Sequence, residues 1–321
     1  MGRVGWILVC ALICICGFGM GDGMAAQKQE LIIFHADSLT APFKEVTAAF
    51  NSKYPNALVK LEAAGSRESA SKISSRGRPC DVLGCDDYGA IAGLTPRHAD
   101  FNIGFATHEL AIAFRDKSQQ AKVITSRNWP DILLRNDVHF GRLAYSDLCG
   151  LRTALVFQLA EKYYKTPGLA SKLSEKDGTR FVRSNEAALL ALLESGQIDY
   201  AFLYGSAIEQ HNLKLLRLPQ QINLGSLNQA EYYKQAKTNV GGPRLGKTTV
   251  VRGEPIVCSV TIPNNSPNPE LAEAWVGFLL STGGRDILKK CGQSSLSPAP
   301  TDGYSKLPEH LKPFCSRIGL R

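Results

Sequence analysis

The sequence predicts an α/β protein built as two lobes, and three observations predict it. Strand, loop and helix patterns follow one another along the chain, the signature of mainly parallel sheets flanked by helices. They fall into two sets, one before and one after about residue 110. The 321 residues are enough for each set to bury a core of its own. In such sheets ligands sit at the carboxyl ends of the strands, so function is sought in the loops that follow them.

The first set opens with the apolar run Leu31 to Phe34, a turn at Ala36-Asp37-Ser38, and Phe43, Val46, Ala49 and Phe50 at helical spacing. Ala57 to Leu61 then reads as a strand, Ala64-Gly65-Ser66 as a turn, and Arg67 to Ser75 as a helix ending at Gly77, before a short strand from Asp81 to Leu83. In both loops a serine, Ser38 or Ser66, stands beside a helix start. There its side chain can cap while free backbone N–H groups and the helix dipole face an anion. Plain capping explains a serine at such a place equally well.

Glu109 to Phe114 is a strand leading into the second set. His139 to Tyr145 is the next strand, Ser146 to Gly150 a turn, and Leu151 to Tyr164 a helix with Leu155, Leu159 and Tyr163 on one face. Phe181 to Arg183, a turn at Ser184-Asn185 and a helix from Glu186 to Glu194, closed by Gly196, repeat the pattern. Ile198 to Tyr204 alternates as a strand with Tyr204 at its carboxyl end. Ile256 to Ile262 reads as a strand and Pro269 to Leu280 as a helix. Their return to the first lobe makes two chain crossings, a hinge. The expected division is residues 1–26 as a leader, 27–110 with 258–321 as lobe 1, and 111–257 as lobe 2.

The leader shows the charged, apolar and small-residue order of a cleaved secretory signal: Arg3, an apolar stretch from Val4 to Met20, then Gly23, Ala25 and Ala26. It predicts export. Cys16-Gly17 offers a lipidation alternative, although Cys14 and Ile15 match such sites poorly. The formal net charge of +8 favours encounter with anions. Its basic residues are scattered without aromatic interleaving, which argues against a nucleic-acid groove. Outside the leader stand Cys80, Cys85, Cys149, Cys258, Cys291 and Cys315. An oxidising compartment permits disulfides. Sequence separation makes Cys80 with Cys85 and Cys291 with Cys315 the easiest closures, and the pairing stays open.

Gly241 to Thr248 fits the nucleotide-binding P-loop expression letter for letter. The context does not. A P-loop lies between a buried strand and a helix, whereas Lys234 to Asn239 is polar and Thr248 to Val251 is β-branched and runs into Gly253 and Pro255. The stretch reads as a hairpin turn between two edge strands. The six histidines are scattered, and neither a nucleophile elbow nor a zinc-protease pattern is present. His35 reads as structural.

Leu31-Ile-Ile-Phe-His-Ala-Asp-Ser-Leu39, Glu62-Ala-Ala-Gly-Ser66 and Asp147-Leu-Cys-Gly-Leu-Arg152 with Gln158 to Tyr164, taken together, resemble the tungstate/molybdate-binding proteins of archaeal-type ABC importers. Val182 to Glu186, Glu194 to Tyr200, Leu218 to Leu224 and Pro255 to Ile262 extend the resemblance over nearly the whole mature chain. It implies the two-lobed type II periplasmic-binding-protein fold, a periplasmic monomer without cofactor or catalysis, and a membrane permease and an ATPase as partners. It also implies a small oxyanion, tungstate or molybdate, bound between the lobes. Ser38 and Ser66 resemble the first-lobe donors, Asp147 and Glu186 the second-lobe carboxylates, and Tyr204 a cleft tyrosine.

Carboxylates aimed at a dianion repel it. The resemblance implies a resolution: tungsten(VI) and molybdenum(VI) accept two further oxygens, so Asp147 and Glu186 become ligands of the metal within the oxyanion. Sulfur and phosphorus do not expand in this way, and the same charges reject sulfate and phosphate. Asp147 before a helix is also a favoured cap, and Glu186 in a first helical turn meets the favourable end of the dipole. Two residues depart from the family. Asp37 replaces a usual Gly and Leu148 a usual Pro, and either can retune anion preference. Another small oxyanion of the sulfate or phosphate class, or a secreted hydrolase, are the alternative readings.

Overall fold

The structure, a computed structural model, describes residues 28–241 and 248–320. The expected leader with Cys16 and the turn of the P-loop-like stretch lie outside the described residues. Strands β1 (Gln29–His35), β2 (Ala57–Ala63), β3 (Val82–Cys85) and β4 (Asn102–His108) come from the first part of the chain. Strands β5 (Leu110–Phe114), β6 (Phe140–Leu143), β7 (Val182–Arg183), β8 (Tyr200–Tyr204) and β9 (Lys214–Arg217) make a sheet of order β7-β6-β8-β5-β9.

Two further strands, β10 (Lys237–Gly241) and β11 (Thr248–Arg252), pair antiparallel with each other and join neither large sheet. The chain then returns. Strands β12 (Ile256–Thr261), β13 (Ser294–Ser295), β14 (Ala299–Asp302) and β15 (Cys315–Ser316) complete the first sheet. Its order is β15-β14-β4-β12-β3-β1-β2, with β13 also on β4.

The parallel pairing expected from the sequence is found in β2-β1-β3 and β7-β6-β8 and gives way to antiparallel pairing beside the crossings. A strand that leaves the first lobe runs toward the second, so one that returns runs the other way. Accordingly β12 is antiparallel to both β3 and β4, and β5, which enters the second lobe from the crossing, is antiparallel to β8. Sequence periodicity misses β4 because Asn102, Thr107 and His108 are polar, yet they are buried in it.

Helix α1 (Thr40–Lys53) carries Phe43, Val46 and Phe50 three and four residues apart, all fully buried. Phe43 meets the Trp275 ring edge-on at 4.9 Å between centroids. Such side chains contribute roughly 2 kcal/mol apiece by leaving water. Helix α2 (Ser66–Ser74) follows β2, α3 (Leu148–Tyr163) follows β6 and α4 (Glu186–Ser195) follows β7. Helix α5 (Pro269–Leu280), with Trp275 inward, matches its predicted bounds, and α6 (Thr282–Lys290) follows it.

Helix α4 ends where Gly196, at φ 81°, supplies the left-handed cap. Helix α3 starts three residues earlier than predicted because the side chain of Asp147 caps it, which draws Cys149 and Gly150 into its first turn. A side chain at Gly150 would meet the Ala144 carbonyl oxygen at 2.2 Å, so this first turn rests directly on the chain leaving β6.

All six cysteines among the described residues are unpaired, and all but Cys291 are buried. The Cys80–Cys85 closure fails on reach. Val82 to Cys85 is extended strand that carries Cys85 away from Cys80, and the Cys80 thiol lies against the Val82 carbonyl instead. Among the described residues no helix is long and apolar enough to cross a membrane.

Candidate functional site

A cavity of about 400 Å³ opens where the carboxyl ends of the strands in the two lobes face each other. Ser38 and Ser66 line it from the first lobe, and Asp147, Glu186 and Tyr204 line it from the second. The five residues singled out from sequence therefore surround one space. Asp37 and Leu148, the two departures, line it as well.

On the second-lobe wall Asp147 is the residue before α3. Its Oδ1 accepts from the backbone N–H groups of Cys149 at 2.7 Å and Gly150 at 3.4 Å. Capping and exposure to the cavity thus coexist: Oδ1 is anchored, and Oδ2 accepts from none of the described residues. Burial raises the Asp147 carboxyl above its ordinary value; the two N–H donors oppose the rise, Asp86 adds to it and Arg152 opposes it. Glu186, in the first turn of α4, is half-buried, and Asn185 supplies the cap beside it. Burial raises its carboxyl too; His211 opposes the rise, and Asp147 and Asp37 add to it. The carboxylates of both walls therefore feel one another across the same space.

The first-lobe wall is arranged differently. Both serine hydroxyls donate to the carboxylate of Asp86, Ser38 to Oδ2 at 2.9 Å and Ser66 to Oδ1 at 2.6 Å. The Asp86 backbone N–H donates to the Ser66 hydroxyl oxygen at 3.1 Å. Behind this group, Arg152 of α3 is buried. It donates through Nη1 to the Tyr204 hydroxyl at 2.5 Å and through Nη2 to the Asp86 carbonyl at 3.2 Å, joining the lobes. Burial opposes its charge, but Tyr204, Asp86 and Asp87 hold it protonated above its ordinary value. Tyr204 is a cavity wall whose hydroxyl is already engaged by a cation, and burial holds that hydroxyl well above its usual range.

Sequence reasoning missed Asp86 and Arg152. Asp86 follows the fully buried strand β3, and a carboxylate immediately past a strand's carboxyl end was the available signal. Arg152 is a charged residue amid the apolar run from Leu151 to Phe157, a position that needs a buried partner. His35 is buried, with its Nδ1 at 2.8 Å from the Ala36 carbonyl and its ring against Phe43, which agrees with a structural role. The hairpin reading also fits the described strands: Gly241 lies opposite Thr248, and Gln158 of α3 ties Lys237 down through both its N–H and its carbonyl. No helix begins at Thr248, as a P-loop requires.

Two sheets flanked by helices, two crossings and a ligand-sized cavity between the lobes define a type II periplasmic-binding fold. The periplasmic molybdate-binding protein of Azotobacter vinelandii has this fold, with a TM-score of 0.58 at 17% identity over 82% of this chain and 98% of that one. A family model described as bacterial extracellular solute-binding protein matches residues 31–293, and the chain belongs to that family. It is 35% identical to the molybdate/tungstate-binding protein WtpA of Pyrococcus abyssi over 92% of each chain. It is 41% identical to a solute-binding protein of Petrotoga mobilis over 89% of each.

Proposed function

We propose that this chain is the solute-binding component of an ABC importer that captures tungstate or molybdate between its lobes and delivers it to a membrane permease driven by an ATPase. The observation that carries the reading is the pair Asp147 and Glu186. They stand on one cavity wall, each at the start of a helix, and Asp147 keeps one oxygen open toward the cavity. The likeness to the molybdate/tungstate-binding protein of Pyrococcus abyssi supports the same reading.

In this reading the tetrahedral oxyanion enters the open cleft and its metal centre gains two carboxylate oxygens, moving toward six-coordination. Capping by Cys149 and Gly150 fixes the direction of the Asp147 carboxylate before the ligand arrives, which limits the entropy lost on binding. The chain acts as an exported, monomeric carrier without catalysis, and no resident cofactor takes part. Calorimetric titration of the mature protein with tungstate, molybdate and sulfate tests this. Tight binding of the first two with silence toward sulfate is the expected result, and sulfate binding or no binding overturns it.

A further inference from the structure

The chain as a whole carries +8, yet its cavity is lined by Asp37, Glu68, Asp86, Asp147 and Glu186 against Arg67 alone, with Arg152 behind. An anion there depends on hydrogen-bond donors, and the two side-chain hydroxyls of the first-lobe wall are not available as donors. A hydroxyl has a single proton. Those of Ser38 and Ser66 are both directed to Asp86, and Ser66 also accepts from the Asp86 N–H. Ser66 is 3% exposed and Asp86 7%, so water is poorly placed to exchange for either partner. What the two hydroxyls turn toward a ligand is oxygen lone pairs.

We infer that Asp86 is the specificity-determining residue of the cleft: by holding the protons of Ser38 and Ser66 it withholds hydroxyl donors from any tetrahedral anion that binds through hydrogen bonds alone. The inference rests on the oxyanion reading above. Sulfate has no proton of its own at neutral pH and no centre that takes up carboxylate oxygens. Beyond the backbone N–H groups at the start of α2 and the second-lobe Ser146 and Ser184, it meets lone pairs at Ser38 and Ser66 and carboxylates on both walls, with no coordination to offset them. A metal-centred oxyanion loses the same two donors but gains coordination by Asp147 and Glu186. Its first-lobe contacts fall to the backbone N–H groups at the start of α2, which have no partner within the helix and no side-chain cap from Gly65. Selection against sulfate is thus built twice, by charge on one wall and by engaged donors on the other. Arg152 makes the arrangement durable, because its guanidinium balances the Asp86 charge from behind without reaching the cavity lining.

Asp86→Ala frees both hydroxyls and removes one carboxylate. Titrated with sulfate and tungstate beside the wild type, it is expected to bind sulfate at least about tenfold more tightly, narrowing the tungstate-to-sulfate ratio by that factor or more. An unchanged ratio in a folded variant overturns the inference. Should Asp86→Ala fail to fold, Asp86→Asn is the second variant. Its amide keeps one acceptor oxygen, releases one hydroxyl, and is expected to shift the ratio in the same direction by a smaller factor; no shift overturns the inference. The wild-type titration separates the two levels. A wild type that binds no oxyanion removes the functional reading itself, whereas a wild type that binds tungstate beside an unresponsive Asp86→Ala removes only the role of Asp86.

Discussion

On the first-lobe wall two serines beside helix starts donate hydrogen bonds to a buried aspartate; on the second-lobe wall two carboxylates at helix starts line the cavity, one of them anchored through a single oxygen. The local device is the same, a strand end followed by a helix N-terminus, and the chemistry is opposite. The difference teaches that a helix start does not by itself decide which charge a site accepts. The side chain placed there, and the partner already holding it, decide that.

The largest expected effect breaks the comparison from behind. Arg152→Met removes two buried hydrogen bonds from a charged donor, to the Tyr204 hydroxyl and the Asp86 carbonyl, which contribute about 1.5–3 kcal/mol apiece to folding stability. Denaturant unfolding measures the loss, and one within error of zero would mean that Arg152 does not hold the two walls together. Next come Asp147→Asn and Glu186→Gln, each expected to weaken tungstate binding by about a hundredfold, as loss of a metal-site partner does. Unchanged affinity in both variants by calorimetry would reject coordination by the second-lobe wall.

A smaller effect sharpens the contrast through pH. His108, at the crossing, is buried between Ser206 and Gln293, and burial lowers its pKa from 6.5 to about 4. A histidine whose folded value is depressed takes up its proton more readily unfolded. Its contribution is therefore present above 6.5 and is lost as pH falls toward about 4. His108→Gln is expected to flatten that part of the stability profile, and an unchanged slope would contradict it. Asp147 and Glu186 have the opposite sign. Their raised values mean that folding favours the protonated forms, so their contribution is lost as pH rises through those values. Binding follows the charged forms instead, and tungstate affinity should begin to fall, on acidification, above the ordinary carboxylate range. The smallest effect is a null one: ATP should leave the melting temperature of the wild type and of Lys247→Ala unchanged.

The sequence made the frame of both walls legible because strand ends and helix starts have local signals. Helix α5 appears between its predicted bounds, and α3 departs from its prediction by three residues at its start, where Asp147 proved to be its cap, and by one at its end. What stayed hidden is what distant segments do to each other. Asp86 lies 48 residues from Ser38 and 20 from Ser66, and Arg152 lies 66 from Asp86. No periodicity or spacing rule joins such positions. The mixed sheets were hidden for the same reason, since strand direction at the crossings depends on which lobe the chain has just left.

The place of β12, between β3 and β4, has a consequence for assembly. A chain is made from its amino end, and until residues 256–261 emerge the first sheet consists of two pieces that do not touch through backbone pairing. The second sheet is drawn wholly from residues 110–217 and is complete well before then. The first lobe is expected to close last, so residues 29–108 stay without their full sheet until β12 has been made, while the second lobe is already closed. Protease protection of successively longer nascent chains would show it: residues 110–217 should become resistant first, and residues 29–108 only after β12 has appeared.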